Sequence, residues 1–569
     1  MKARLGLVTL AAAALASACG GNNGNSSAVS AQHVLLISVD GLHQVDLANW
    51  LKNNPSSTLA TLASTGITYS DAKTTTPSDS FPGLLSMVTG GTPKSTGVYY
   101  DDSYDRTLFA PGSNCKAAAG GAAGNGPGIE AVFDESIEVD DTQLFSPINK
   151  DNLPMALDAT GACTPVYPHS FVKVNTVFEV VKAAGGLTAW SDKHAAYDLV
   201  NGPSGSGVTD LYTPEINSLI KNGGVTNGVD LAATLLKCDG TNSLPVGKVS
   251  DYTTCIPAVE AYDDVKVQAI INQIDGKKSD GSAGSGVPEI FGMNFQEVSV
   301  GQKLPVGGYT DAAATPSANL NGAIAHVDAA LGRMVAELKA KNLADSTLII
   351  VSAKHGQSPI DPTTLAMESG GRGNTSVQDP SSFIMKADAT IDSPSSFTNA
   401  NSGATLSTNG HLQTDDVGLV WLQDQSAGNV GGVLTQLQDN ATAIFANSLP
   451  TGTVFTNSIT SGAPLTALFG DPTSSDPVAA ARAPNIFIQP NAGVIYSGSS
   501  KKIAEHGGGT MDDTGVALLV SMPSLKAQSV TTAVSTTQIA PTILQVLGLD
   551  PTKLQAVQKE GTSVLPSLF

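Results

Sequence analysis

His33-Val-Leu-Leu-Ile-Ser-Val39, running straight into Asp40-Gly41, is the stretch on which the fold turns. A strand with one wet face alternates apolar and polar residues. This one does not, so both of its faces are covered. Working outward, the same grammar recurs. Glu289-Ile-Phe-Gly-Met-Asn294, Thr347-Leu-Ile-Ile-Val-Ser352 and Val516-Ala-Leu-Leu-Val520 read as further buried strands, and Leu187-Thr-Ala-Trp190 is strand-like. Helices are expected at about 57–64, from Leu84 to Val88 after Pro82, at Val177 to Ala184 and at Ile539 to Leu547. Leu320, Ile324, Val327, Leu331, Met334, Val335 and Leu338 recur at helical spacing and mark an amphipathic helix. Strands alternating with helices give an α/β fold, a mostly parallel central sheet sandwiched by helices. Sites in such sheets lie past the carboxyl ends of strands. That rule points to Asp40, to Lys354-His355 and to the segment after Asn294.

Two regions interrupt the rhythm. Residues 103–170 are rich in Gly, Ala, Asn and Pro, and residues 358–500 are rich in Ser, Thr and Gly, with a strand expected at 418–422, a helix at 430–446 and a strand at 484–488. Both read as cap insertions in one core domain. That domain spans 33–569, with insertions at about 103–285 and 358–500. No internal repeat is visible. Of the 569 residues, 41% are hydrophobic, enough for a large core and too many for a disordered chain. The formal net charge of −20 excludes a general nucleic-acid binder, whose affinity rests on neutralising phosphates.

Residues 1–18 open on Met-Lys-Ala-Arg, continue with the apolar run Leu5 to Leu15 and end on Ala16-Ser-Ala18, the form of a secretory signal. The run is too short to cross a bilayer, which takes about 20 residues. Cys19 follows, and residues 19–32, beginning Cys-Gly-Gly-Asn-Asn-Gly, read as a flexible tether. The expectation is a lipoprotein leader with Cys19 lipidated, and a chain exported to the bacterial periplasm or outer membrane on that anchor. Ala16 stands where such leaders usually have Leu, and the competing reading is a plain cleaved signal with an incidental cysteine. Four cysteines remain, and an even number in an exported chain favours disulfides. Three pairings are possible. The sixteen residues between Cys238 and Cys255 make that pair easiest to close, leaving Cys115 with Cys163. No Cys-x-x-Cys spacing supports a zinc site.

Three segments carry chemistry. Asp40 at a strand end can cap a helix or ligate a divalent cation. Ser80, in Thr76-Pro-Ser-Asp-Ser80-Phe81-Pro82 before a helix, can serve as an N-cap or as a nucleophile facing an anion held by the helix N-terminus. Lys354-His355-Gly356 follows a buried strand, and His355 can ligate a metal through a neutral ring nitrogen. His506, in Glu505-His506-Gly507, is a fourth candidate. Lys193 and His194, with Tyr197 close by, follow a strand and can form a leaving-group or anion pocket. His43, three residues after Asp40, can reach the same cleft.

In this order, strand-Asp-Gly, Ser-Phe-Pro-helix-Thr-Gly, strand-x-x-His-Gly and a late His-Gly resemble the alkaline phosphatase superfamily. Within it, the chain is similar to the type I phosphodiesterase/nucleotide pyrophosphatase branch. Gly97-Val-Tyr-Tyr-Asp101 and Thr537 to Leu549 also match that branch. The resemblance implies that Ser80 is the nucleophile and that two zinc ions are held. One ion would take Asp40, Ser80, Lys354 and His355, and the other Ser299, Gln302 and His506. Lys354, Ser299 and Gln302 replace the family's Asp, Asp and His, and Asp101 replaces an Asn that donates to a phosphate oxygen. A two-zinc site is therefore not expected. The expected site has at most one divalent ion, zinc, on Asp40, Ser80 and His355. Lys354 and His506 would contact the oxyanion, with Asp101, Lys193 and His194 around the substrate. An ammonium at Lys354 repels a cation, so a metal-free site is the rival. Sulfatases, which are relatives, also combine one metal with lysines.

The function implied is hydrolysis of phosphate esters, diesters or nucleotide pyrophosphates before monoesters, through a phosphoseryl intermediate. A small anionic phosphate ester is the expected partner. Competing readings are a catalytically inactive relative that binds anions at the cell surface, and a phosphomonoesterase or sulfatase-like hydrolase. Ser80-Phe-Pro-Gly-Leu84 has Leu where a sulfatase requires Arg. No Gly-x-Ser-x-Gly pentapeptide supports a lipase-type hydrolase, and Gly91-Thr-Pro-Lys94-Ser95 lacks the Gly of a Walker loop. An acidic chain that handles phosphate must gather positive charge locally. It is expected at Lys354, His355, His506, a metal ion and the helix that Ser80 opens.

Overall fold

A computed structural model of the chain describes residues 29–116, 126–133, 148–216, 225–226, 229–230, 253, 255–373, 377–387, 396–398, 403, 405–445 and 458–569. The leader, Cys19 and Cys238 lie outside these residues. The central sheet has eight strands, numbered here in chain order: β1 His33–Val39, β2 Gly66–Tyr69, β3 Ala189–Ser191, β4 Asp210–Tyr212, β5 Ile290–Phe295, β6 Thr347–Ser352, β7 Leu518–Ser521 and β8 Gln528–Val530. Their spatial order is β8-β2-β7-β6-β1-β5-β3-β4. Most neighbours are parallel; β7 runs antiparallel to both β6 and β2.

The uninterrupted apolar runs have a direct packing reason. Val34 and Leu36 of β1 enter one hydrophobic cluster while Leu35, Ile37 and Val39 enter the other. Leu348 and Ile350 of β6 split from Ile349 and Val351 in the same way. Successive side chains point to opposite faces, so a strand between two dry layers must be apolar throughout. Numbering the principal helices likewise, α1 is Gln44–Asn53, α2 Ser80–Thr89, α3 Ile256–Ile274, α4 Glu297–Lys303, α5 Ala318–Ala340 and α6 Ile539–Val546. The stripe Leu320, Ile324, Val327, Leu331, Met334 and Leu338 of α5 covers one face of the sheet. Helices α2 and α6 cover the other.

Register decides what meets at the sheet's edge. Ser38 of β1 lies opposite Asn294 of β5 and Ser352 of β6, and Met293 of β5 lies opposite Ser191 of β3. Four strands thus finish level, and the residues just past them share one floor.

The span 358–500 carries a four-stranded antiparallel sheet, Gly410–Thr414, Gly418–Leu422, Ile486–Gln489 and Ser458–Thr460, with its own hydrophobic cluster. The helix expected at 430–446 is two helices, Ala427–Asp439 and Ala441–Ile444, parted at Asn440. The span 103–285 both caps and builds: β3 and β4 within it extend the central sheet. Cys115 and Cys163 form the disulfide left over by the cysteine spacing. Cys255 is also disulfide-bonded. Among the described residues, no helix is long and apolar enough to cross a membrane.

Candidate active site

Four strand ends converge on Asp40. Its buried carboxylate accepts a hydrogen bond from Asn294 Nδ2 at 3.1 Å. Oδ2 lies 3.4 Å from Lys193 Nζ and 3.9 Å from Lys354 Nζ, and Oδ1 lies 3.8 Å from His355 Nε2. Burial pushes this carboxyl up, but the ammonium charges of Lys354 and Lys193 outweigh it and hold the group well below the usual carboxylate range. Oδ1 itself has no hydrogen-bond partner. Lys354 is fully buried; its Nζ lies 3.0 Å from Asp192 Oδ1 and 3.9 Å from the centre of the Tyr197 ring. Burial lowers the Lys354 pKa, partly opposed by Asp192 and Asp40. Asp192 also accepts from Trp190 Nε1 at 3.0 Å and from the Lys193 backbone N–H at 2.9 Å.

Sequence left Ser80 between helix cap and nucleophile. The cap of α2 is Asp79, whose side chain accepts from Phe81 N at 3.1 Å and also from Asp101 N at 3.1 Å. Ser80 is the first helical residue, so its hydroxyl has no capping duty. Oγ lies 3.3 Å from His355 Nε2 and 3.5 Å from Lys193 Nζ. His355 Nδ1 lies 2.8 Å from the Gly356 carbonyl. A carbonyl only accepts, so the ring proton is on Nδ1 and Nε2 turns its lone pair to Ser80. Burial pushes this imidazole down to about 4, so it is neutral at pH 7. Helix α2 comes this close because residue 83 is glycine: a Cβ there would stand 2.0 Å from the Lys354 carbonyl oxygen.

A cleft of about 380 Å³ opens over Ser80, lined by Asp101, Lys193, His194 and His506. Lys303, Lys501 and Lys502 also line it, with Lys303 and Lys502 both paired to Glu505. His194 Nδ1 pairs with Glu215 Oε1 at 2.8 Å. The His506 ring lies 3.8 Å from that of His355, and burial together with His355 holds its pKa well below the ordinary value. Both imidazoles are therefore uncharged at neutral pH, against the expectation that they supply positive charge. The charge sits on lysines. Burial lowers Lys193, but Asp40 and Asp192 more than reverse it and raise its pKa.

The structure brings Asp40, Ser80, Lys193, Lys354, His355 and His506 together, with Asp101 and His194 on the wall. Lys354 lies beneath the floor rather than on the cleft, and Lys193 is the lysine that lines the cleft beside Ser80. His43 is buried behind the cleft, its Nδ1 2.7 Å from Tyr309 OH and 3.0 Å from Asp46 Oδ2, and its Nε2 2.9 Å from Gln357 N. Sequence reasoning passed over Asp192, Asn294 and Asp79. Asp192 had one visible signal, an acidic residue directly before Lys193 at a strand end. Asn294 and Asp79 had none beyond their neighbours.

The two-ion centre implied by the resemblance does not fit. On α4, Ser299 Oγ donates to Gln357 Oε1 at 2.8 Å and Gln302 Nε2 donates to the Gly41 carbonyl at 2.7 Å. A hydroxyl and an amide offer no anionic or imidazole ligand. Of the first set, Asp40, Ser80 and His355 are donors of the right kind for one ion, and Lys354 is not. A separate group, Asp102, Glu130 and His411, has ligand atoms within 4.8 Å of one another in the cap. Burial lowers His411, but Asp102 and then Glu130 bring it up to about 9. At neutral pH that ring is a protonated ion-pair partner.

The sequence profile of the type I phosphodiesterase / nucleotide pyrophosphatase family matches residues 34–241 and 249–507. Among solved structures, wild-type alkaline phosphatase PafA superposes with a TM-score of 0.55 at 14% identity, covering 92% of this chain and 96% of that one. Murine ectonucleotide pyrophosphatase / phosphodiesterase 5 superposes with a TM-score of 0.48 at 13% identity, covering 91% of this chain and 96% of that one. An inactive variant of the murine protein, in complex with AMP, gives 0.47 at 12% identity, covering 91% and 96%. No curated protein matches the sequence.

Proposed function

The chain belongs to the type I phosphodiesterase / nucleotide pyrophosphatase family, a family of metal-dependent phosphoric ester hydrolases, and we propose that it cleaves phosphodiester or nucleotide pyrophosphate bonds through a phosphoseryl intermediate on Ser80. One observation carries this reading: a serine hydroxyl free of capping duty, at the bottom of an open cleft, between a neutral imidazole at 3.3 Å and an ammonium at 3.5 Å. Lys193 and the N-terminus of α2 bind the phosphoryl oxygens. Ser80 Oγ attacks phosphorus as its proton passes to His355 Nε2. The bond to the leaving oxygen breaks, and water then hydrolyses the phosphoserine. Asp101 on the wall favours diesters, because a monoester carries a second negative charge toward it. Of the lysines on the wall, Lys303 and Lys502 are paired with Glu505, and Lys501 suits the further phosphate of a nucleotide.

A second reading keeps one divalent ion, zinc, on Asp40, Ser80 and His355. The buried Oδ1 of Asp40, without a hydrogen-bond partner, favours it. Such an ion supplies a lowered hydroxyl pKa and charge for the phosphoryl oxygens.

The reading includes export and anchoring through a lipid on Cys19, supported by the composition of residues 1–24. Metabolic labelling with a fatty acid, lost in Cys19→Ser, tests it. For the chemistry, the purified protein is assayed on nitrophenyl esters of phosphate diester, phosphate monoester and sulfate. Diester turnover above the other two is expected. No turnover of any ester by a folded chain would instead support an inactive, anion-binding relative.

A further inference from the structure

We infer that this reaction centre carries its positive charge on two lysine ammonium groups, Lys193 and Lys354, in place of both metal ions. The inference rests on the phosphoester reading of the cleft. The resemblance sets Lys354, Ser299 and Gln302 at three ligand positions of the two-ion arrangement, and none of them is a carboxylate or an imidazole. Lys354 pairs with Asp192 at 3.0 Å, Ser299 donates to Gln357, and Gln302 donates to Gly41. The remaining anionic ligand, Asp40, has one ammonium at 3.4 Å and another at 3.9 Å from a single oxygen. Two ammonium groups face two buried carboxylates, Asp40 and Asp192. Asp79 and Asp101 add further negative charge around Lys193, and a divalent cation bound to Asp40 would stand against both lysines at short range.

The two lysines divide the work. The Lys193 side chain is 13% exposed and its Nζ lies 3.5 Å from Ser80 Oγ, so it touches the substrate. It is the catalytic residue of the pair, a point charge that binds phosphoryl oxygens. Lys354 is 0% exposed. It is a positioning residue: it fixes Asp192, which in turn accepts the Lys193 backbone N–H at 2.9 Å.

The test is metal content together with turnover. The full chain carrying His411→Ala, so that the cap group binds no ion, is dialysed against zinc and its bound metal measured by mass spectrometry. Bis(nitrophenyl) phosphate turnover is followed with and without a chelator. Zinc well below one equivalent and turnover unchanged by the chelator are expected. Lys193→Met lowers kcat by about 100-fold or more, with partial recovery from an added alkylamine in Lys193→Ala. Lys354→Asp raises zinc occupancy. One equivalent of zinc on the chain with its lysines intact overturns the inference, as does chelated activity that zinc restores. If no ester is turned over, the hydrolase reading fails by itself, and the zinc content of the chain with its lysines intact still decides this one.

Discussion

Asp192→Asn removes one charge from the floor of the cleft and leaves nearly every atom in place. Lys354 Nζ then keeps only Asp40, at 3.9 Å, instead of Asp192 at 3.0 Å as well. At an effective dielectric constant of about 20, the lost attraction is roughly 5.5 kcal/mol and the one that remains roughly 4 kcal/mol, shared with Lys193. Part of the loss is relieved because burial already favours neutral Lys354. The expected cost is therefore about 3–5 kcal/mol, that of orphaning one member of a buried pair. Guanidinium denaturation at pH 7 measures it. Adding Lys354→Met removes the orphaned charge, so the double variant recovers most of the lost stability while kcat stays low, because Lys193 has lost a charged anchor for its backbone N–H. Alkaline pH should shrink the single variant's deficit as Lys354 deprotonates. A cost under about 1 kcal/mol, or a double variant no more stable than Asp192→Asn, refutes the claim that the pair is ionised and mutually dependent.

Ser80→Ala abolishes the phosphoenzyme trapped by acid quench and lowers kcat by several orders of magnitude with the fold intact; full retained activity removes Ser80 from the nucleophile's role. Gly83→Ala sets a methyl 2.0 Å from the Lys354 carbonyl, costing about 1–3 kcal/mol and lowering kcat through displacement of Ser80, read by thermal melting and steady-state kinetics. His411 has a folded pKa raised to about 9 from 6.5 by Asp102 and Glu130, so its stabilisation is complete below about 6.5 and lost as pH rises through 9. Denaturation midpoints should fall across that window, and His411→Gln should flatten the slope. Replacing Cys115 and Cys163 by serine opens a closure of sequence separation 48, worth up to about 4 kcal/mol by chain entropy, and lowers the melting temperature.

Most of the sheet was legible because its strands are apolar on both faces and each is a local run. The antiparallel course of β7 was not legible, since Leu518–Ser521 reads the same in either direction and only its pairing with β6 and β2 sets it. Asp40, His355 and His506 each precede a glycine and Ser80 stands two residues before a proline, which made them legible as candidates that the fold then brings together. What each does there was less so. Ser80 could not be separated from a cap until Asp79 was seen to fill that place. His43 and Lys354 read as cleft residues, yet both side chains turn inward, a matter of rotamer and packing that spacing does not encode.

By itself the sequence determined the fold class and the family, because these depend on residue type and order. Tertiary structure alone decided where the charge goes. Lys193 and Asp192 come from an interruption more than 150 positions before Lys354, and only the level ends of β1, β3, β5 and β6 set them around Asp40. Coulomb energy depends on distances of 3–4 Å and on burial. In a chain of net charge −20, register and packing gather two lysines, distant in sequence, around one buried carboxylate beside a cleft.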